Sequence, residues 1–135
     1  MTSKSAACAL FAGLLGLSPL SSVAQDAAAG QRVFNQCRAC HQVGDKARNL
    51  VGPILNGLFG RTAGTVEGYT YSSANKTSGI VWDEGTFRTY IKDPKATIPG
   101  TKMVFPGIKD EQRITDLIAY LHTFDAGGGA RPATQ

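Results

Sequence analysis

The stretch Cys37-Arg38-Ala39-Cys40-His41 decides the reading of this chain. Two thiols three positions apart on a helical turn can each add to one of the two vinyl groups along a porphyrin edge, and C-x-x-C-H is the attachment sequence of c-type haem. The next residue then lies under the iron. His41 can therefore offer its imidazole as the proximal axial ligand, so that attachment and ligation come from one short segment. Two other uses of such a cysteine pair are weaker. A structural zinc site needs four ligands, and beyond Cys37, Cys40 and His41 the only further cysteine and histidine are Cys8 and His122. A thioredoxin-like dithiol needs a strand before the motif and a βαβ setting, whereas the residues before Cys37 read as helix.

Upstream of the motif, residues 1–24 read as a secretory signal peptide, expected to be cleaved. Lys4 is the n-region charge, Ala6 to Leu17 form a small-residue and leucine-rich run, Pro19 breaks it, and Ser22-Val23-Ala24 supplies small residues at the cleavage positions. The apolar run is shorter than the roughly 20 residues that span a bilayer, so cleavage is favoured over a membrane anchor. Cys8 precedes the apolar core of the signal and is discarded with it. Cleavage after Ala24 leaves 111 of the 135 residues, with Cys37 and Cys40 as the only cysteines. Both belong to the motif, so no disulfide is expected. A mature chain of that size makes one domain, placed at residues 25–125. Its own core is small, and folding should be coupled to cofactor binding as in small metal domains. The whole chain carries a formal charge of +4, which fits either a solvated surface or a positive patch for an acidic partner.

Downstream and around the motif, Asp26 is an N-cap for a first helix that runs on to the cysteines, with Val33 and Phe34 among its large apolar residues. From Gln42 to Gly68 the residues Gly44, Gly52, Pro53, Gly57, Gly60 and Gly64 lie too close together for long regular elements. A loop of that length in a small domain implies a ligand beneath it. Ser72 to Lys76 suits a short helical turn. Asp83 caps a second helix through Phe87, Tyr90 and Ile91 that stops before Pro94. Residues 94–108 lack periodicity. Asp110 opens the clearest helix, with Ile114, Leu117, Ile118 and Leu121 on one stripe expected to pack on the first helix. Gly127-Gly128-Gly129 and residues 130–135 bury nothing by composition, so residues 126–135 read as a disordered tail. No strand pattern, repeat, phosphate-binding loop or arginine-aromatic nucleic-acid stripe appears.

The sixth position on the iron separates an electron carrier from an enzyme or gas binder. Met103 is the only methionine after signal removal and sits in an aperiodic Pro/Gly loop, where a core-filling methionine is out of place. Met103 is therefore favoured. His122, at the edge of the last helix's stripe, is the rival, and Lys102 could replace Met103 only at alkaline pH. Thioether ligation raises the reduction potential. With both axial sites closed, outer-sphere transfer of one electron through an exposed haem edge is the natural function. A five-coordinate iron would instead mean a small haem peroxidase or gas-binding protein, and a chain without haem a zinc-binding module.

The segments Cys37-to-His41, G-P-I-L-N-G-L-F-G-R from Gly52, G-Y-T-Y-S-S-A-N-K from Gly68, I-P-G-T-K-M-V-F from Ile98 and D-L-I-A-Y-L from Asp116 stand in a familiar order and spacing. From Gly30 to about Phe124 the sequence resembles class I cytochromes c, particularly mitochondrial cytochrome c and the small bacterial cytochrome c2 group. That resemblance implies an all-α cytochrome c fold, its N- and C-terminal helices crossing and its loops wrapped around one covalently bound haem. It implies that the Pro53 carbonyl accepts the proximal imidazole N–H, and that Arg61, Tyr71, Trp82 and Thr101 bind the haem propionates. Tyr90 and Asn75 would be polar groups on the methionine side, with Tyr90 donating toward the thioether, and Phe105 would shield the haem edge. Gly30, Phe34, Leu117 and Tyr120 would form the helix crossing. Lys95, Lys102 and Lys109, joined by Arg38, match part of a docking ring of cations. Gln36, Leu50, Ala96 and Asp110 stand where relatives often carry lysine, so the positive face is thinner.

The sequence thus leads to a periplasmic monohaem electron carrier, expected to be a monomer without stable membrane insertion. His41 and Met103 are its metal ligands, and Cys37 and Cys40 its attachment points. The resemblance places its haem joining outside the cytoplasm. It implies membrane redox partners, such as a cytochrome bc1 complex as donor and an oxidase or photosynthetic reaction centre as acceptor.

Overall fold

Among the described residues, every helix begins at a short polar side chain that accepts a backbone N–H left without a partner in the first turn. The computed structural model describes Met1 and residues 24–129. Asp26 accepts from Ala28 (2.8 Å) and Ala29 (3.0 Å) and opens α1, Ala27–Phe34. Ser72 accepts from Asn75 at 3.1 Å and opens α2, Ser73–Thr77. Asp83 accepts from Thr86 at 2.7 Å before α3, Glu84–Lys92. Asp93 accepts from Ala96 at 3.0 Å before α4, Pro94–Thr97, and Asp110 from Arg113 at 2.8 Å before α5, Glu111–His122. Each such cap contributes about 1 kcal/mol. Among the described residues the sole β contact is an isolated bridge between Thr62 and Val81, and no helix is long and apolar enough to cross a membrane.

The stripe on α5 is buried as its spacing requires: Ile114, Leu117, Ile118 and Leu121 are all exposed by 1 % or less. It packs against α1. The crossing depends on Gly30, where a Cβ would lie 1.9 Å from the Asp116 carbonyl oxygen and 2.7 Å from the Tyr120 Cβ. Phe34 and Tyr120 pack rings across it with centroids 5.4 Å apart. Asp116 is buried at this crossing, yet its carboxylate is satisfied, accepting from the Asp26 amide (3.1 Å) and the Gln112 side chain (2.8 Å).

Three features depart from the sequence reading. The first helix ends at Phe34 instead of reaching the cysteines. Its last turn tightens, with the amides of Asn35, Gln36 and Cys37 bonding three residues back, and Cys40 and His41 both bonding the Cys37 carbonyl. Pro94–Thr97 is a helical turn inside the stretch read as aperiodic. Four residues are too few to show a period, although Asp93 followed by proline at the first helical position is a start signal.

The third departure is at the C-terminus. Ala126–Gly129 does not leave the domain: Gly57 N–H donates to the Phe124 carbonyl at 3.1 Å, and Gly128 is buried where a Cβ would meet the Gly44 carbonyl oxygen at 2.2 Å. A glycine buries backbone, which a reading of side chains overlooks. Residues 2–23 of the expected signal segment and the tail from 130 lie outside the described residues.

Gly30→Ala is expected to lower the stability of the holoprotein by about 2 kcal/mol, because the added methyl must push α1 and α5 apart. The midpoint of denaturant unfolding, compared with wild type, checks this.

Candidate haem site

The loop after the cysteine turn folds back so that its proline faces the histidine. The Leu50 amide bonds the Gly52 carbonyl (2.9 Å), and the Gly52 amide bonds the Cys40 carbonyl (2.8 Å). This brings the Pro53 carbonyl oxygen to 2.7 Å from His41 Nδ1. A carbonyl only accepts, so Nδ1 carries the proton and Nε2 keeps its lone pair. Burial, foremost, and the Arg61 charge hold the imidazole below its ordinary pKa, while the Pro53 bond acts against them. The ring is therefore neutral near pH 7, as a metal ligand must be. Gly52 is needed for this approach, because a Cβ there would sit 2.4 Å from His41 Cε1.

The rest of the loop is held by its own amides and one guanidinium. The Asn56 side chain exchanges two 2.9 Å hydrogen bonds with the Gly44 backbone. Arg61 donates to the carbonyls of Asn56 (2.8 Å) and Ile54 (3.2 Å). Burial pulls its pKa down from the ordinary value, but a guanidinium stays charged at any physiological pH. It remains a fixed cation with donors to spare.

Met103 sits in the loop after α4, where the Thr101 hydroxyl accepts its amide at 3.3 Å. The Tyr90 hydroxyl, presented from α3, donates to Met103 Sδ at 3.1 Å. Tyr90 is buried against Trp82, edge to face with centroids 4.9 Å apart. Burial raises its pKa, so the donor proton is retained. Tyr71 is likewise raised by burial; its oxygen accepts from the Val66 amide at 3.2 Å, leaving its own proton to donate elsewhere. Asn75, on α2, accepts from the Ser72 hydroxyl at 2.9 Å.

These groups converge on one cavity of about 410 Å³, within the size range of cofactor sites. Its wall includes all twelve residues singled out from the sequence: Cys37, Cys40, His41, Pro53, Arg61, Tyr71, Asn75, Trp82, Tyr90, Thr101, Met103 and Phe105. Leu55, Leu58, Phe87 and Ile91 add apolar surface. The rival ligand His122 is not in the wall. It is exposed on the end of α5, 2.9 Å from Glu84 and stacked on Phe59 at 4.2 Å between centroids.

A flat apolar macrocycle with two acidic arms fits this lining: two thiols, a neutral imidazole with a bare nitrogen, a thioether, apolar walls and a cluster of donors. Burial and the neighbouring Cys40 push the Cys37 thiol up to about 11. That is the reverse of the depressed pKa of a reactive redox dithiol.

Two of the expected docking cations are engaged within the chain. The ammonium of Lys102 donates to the Thr70 carbonyl and that of Lys109 to the Lys92 carbonyl. Sequence reasoning also passed over Tyr69. It lines the cavity, stands edge-on to Tyr71 and donates to the Val51 carbonyl at 2.6 Å. Its place in the G-Y-T-Y segment was the available signal.

Helical loops closing over a C-x-x-C-H site define a c-type haem protein, and known proteins of similar sequence and structure agree. The family model described as Cytochrome c matches residues 27–125. Cytochrome c2 of Blastochloris viridis is 58% identical over 118 residues, covering 87% of this chain and 93% of that protein. Cytochrome c-550 of Nitrobacter winogradskyi is 57% identical over 103 residues, covering 76% and 94%. Among solved structures, cytochrome c2 from Rhodospirillum centenum superposes with a TM-score of 0.71 at 39% identity, over 74% of this chain and 98% of that one. Cytochrome cH from Methylobacterium extorquens gives a TM-score of 0.68 at 48% identity, over 73% and 98%. The chain belongs to the cytochrome c family. It carries one covalently attached c-type haem and is an electron-transfer protein, not an enzyme.

Gly52→Ala is expected to cut the yield of low-spin holoprotein on the order of tenfold, since the methyl displaces the imidazole from its Pro53 partner. The reduced visible spectrum of the purified variant reads it directly.

Proposed function

We propose that this chain is a periplasmic one-electron carrier in which His41 Nε2 and Met103 Sδ are the axial ligands and Cys37 and Cys40 the thioether attachments. The observation that carries the reading is that both candidate ligands face one cavity already oriented. The imidazole proton is committed to Pro53, and one thioether lone pair accepts from Tyr90. Each ligand therefore presents a defined electron pair. When bound, a haem with both axial positions filled supplies reversible storage of one electron.

The residues around it set how readily that electron is held. The Pro53 bond makes His41 a stronger donor. The hydrogen bond from Tyr90 withdraws density from the Met103 sulfur and, with the thioether itself, favours the reduced state. The apolar wall excludes water and favours the less charged form. Arg61, Tyr71, Trp82 and Thr101 are the proposed propionate partners; the Thr101 hydroxyl, having accepted from Met103, still has its proton to donate. Phe105 shields the edge through which the electron leaves, and Asn75 lies on the Met103 side.

The proposed partners are a cytochrome bc1 complex as donor and an oxidase or photosynthetic reaction centre as acceptor. All four docking cations, Arg38, Lys95, Lys102 and Lys109, are exposed; the ammoniums of Lys102 and Lys109 also donate to backbone carbonyls, which leaves their charge in place. Gln36, Leu50, Ala96 and Asp110 add no positive charge to this face, so docking is expected to be weak and to weaken further as salt rises.

The testing experiment is the visible spectrum of exported protein, oxidised and reduced, with carbon monoxide added to the reduced sample. Low-spin bands, a sulfur-to-ferric-iron charge-transfer band and indifference to carbon monoxide are expected. A high-spin spectrum that shifts with carbon monoxide would overturn the axial assignment. Met103→Ala should lower the potential by at least roughly 60 mV, a tenfold change in the one-electron equilibrium, and admit carbon monoxide. In Cys37→Ser/Cys40→Ser the apoprotein should lose most of its far-ultraviolet helical dichroism, because the buried walls then have nothing to pack against.

A further inference from the structure

Three segments of different origin meet at the mouth of the cavity. Val51 precedes Gly52 and Pro53, which set the position of His41. Tyr69 and Thr70 lie in the loop before α2. Lys102 is the immediate neighbour of Met103. The Tyr69 hydroxyl donates to the Val51 carbonyl at 2.6 Å. On the same ring, the Lys102 ammonium lies 5.2 Å from the centroid, within cation–π range. That ammonium also donates to the carbonyl of Thr70. Tyr71 supports the ring edge-on, with centroids 4.7 Å apart and an interplanar angle of 76°. Val51, Tyr69 and Lys102 all line the cavity.

We infer that Tyr69 and Lys102 form a strap that ties the Met103 loop to the Val51–Pro53 loop, and that Tyr69 is a positioning residue keeping the sixth ligand in place against competing small ligands. A residue beside Met103 is held to the tyrosine loop, and that loop is held to the histidine loop. Opening the Met103 side requires the strap to part. The two links act in series, so cutting either one releases the loop. The Lys102 side chain remains exposed and charged, so the strap does not remove it from the docking face.

An exogenous ligand binds only the open state, so its apparent affinity scales with the open fraction. The strap therefore reads out as resistance to imidazole. The inference rests on Met103 ligation as proposed above, and the experiment separates the two. Imidazole is titrated into ferric holoprotein while the sulfur-to-iron charge-transfer band is followed, for wild type, Tyr69→Phe, Tyr69→Leu, Lys102→Gln and the Tyr69→Phe/Lys102→Gln double variant. Denaturant unfolding is measured on each.

Tyr69→Phe, which keeps the ring and loses the hydroxyl, is expected to tighten apparent imidazole binding about fivefold, the effect of one hydrogen bond. Tyr69→Leu and Lys102→Gln should do at least as much, and the double variant no more than the larger single effect, while unfolding midpoints move less than imidazole affinity. Unchanged affinity in Tyr69→Phe, independent multiplication of the two effects, or affinity and unfolding midpoint shifting in step would overturn the strap. A wild type with no charge-transfer band would instead remove Met103 ligation, and the strap's proposed purpose with it.

Discussion

The backbone contact between Gly30 and Asp116 is the constraint on which the rest of the structure leans. α1 and α5 approach so closely there that no side chain fits between them. The approach locks the helix that leads into Cys37 against the helix that closes the chain. The stripe of α5 then fills the space beneath, and Phe34 and Tyr120 close the crossing. A small domain has few apolar residues with which to define an interior. Joining its two ends by direct backbone packing lets the long loops between them give their own apolar side chains to a cofactor cavity.

The same economy governs the cavity. Its polar groups are few, and each is already oriented by a partner: His41 by Pro53, Met103 by Tyr90 and Thr101, Arg61 by two loop carbonyls. An electron carrier benefits from groups that do not rearrange when the charge changes, because every reorientation adds to the barrier of transfer. Burial acts on the titratable groups in one consistent direction. It keeps His41 neutral and Tyr90 and Tyr71 protonated, so the hydrogen-bond pattern does not vary with pH near neutrality.

Local signals made much of this legible. Asp26, Ser72, Asp83 and Asp110 each cap a helix because a short acceptor side chain acts within three residues. The α5 stripe is visible because twelve residues contain several periods. α4 is a single turn, and no period can be read from it. Gly128 packs through its backbone, and composition alone suggests that it buries nothing. Lys102 and Lys109 are surface cations, as the sequence suggests, but the Thr70 and Lys92 carbonyls that accept from them lie 32 and 17 positions away and cannot be read locally.

By itself the sequence determined the covalent chemistry: C-x-x-C-H names the cofactor, supplies the histidine and orders the thiols, because these depend on residues adjacent in the chain. It also marked where four of the five described helices begin, since capping is local. Tertiary structure alone decided which nitrogen of His41 carries the proton, which hydroxyl meets the Met103 sulfur and where the C-terminal turn rests. Those depend on partners such as His41 and Pro53, Tyr90 and Met103, or Gly44 and Gly128. They are separated by 12 to 84 positions in the chain, and only packing brings them within hydrogen-bonding or contact distance.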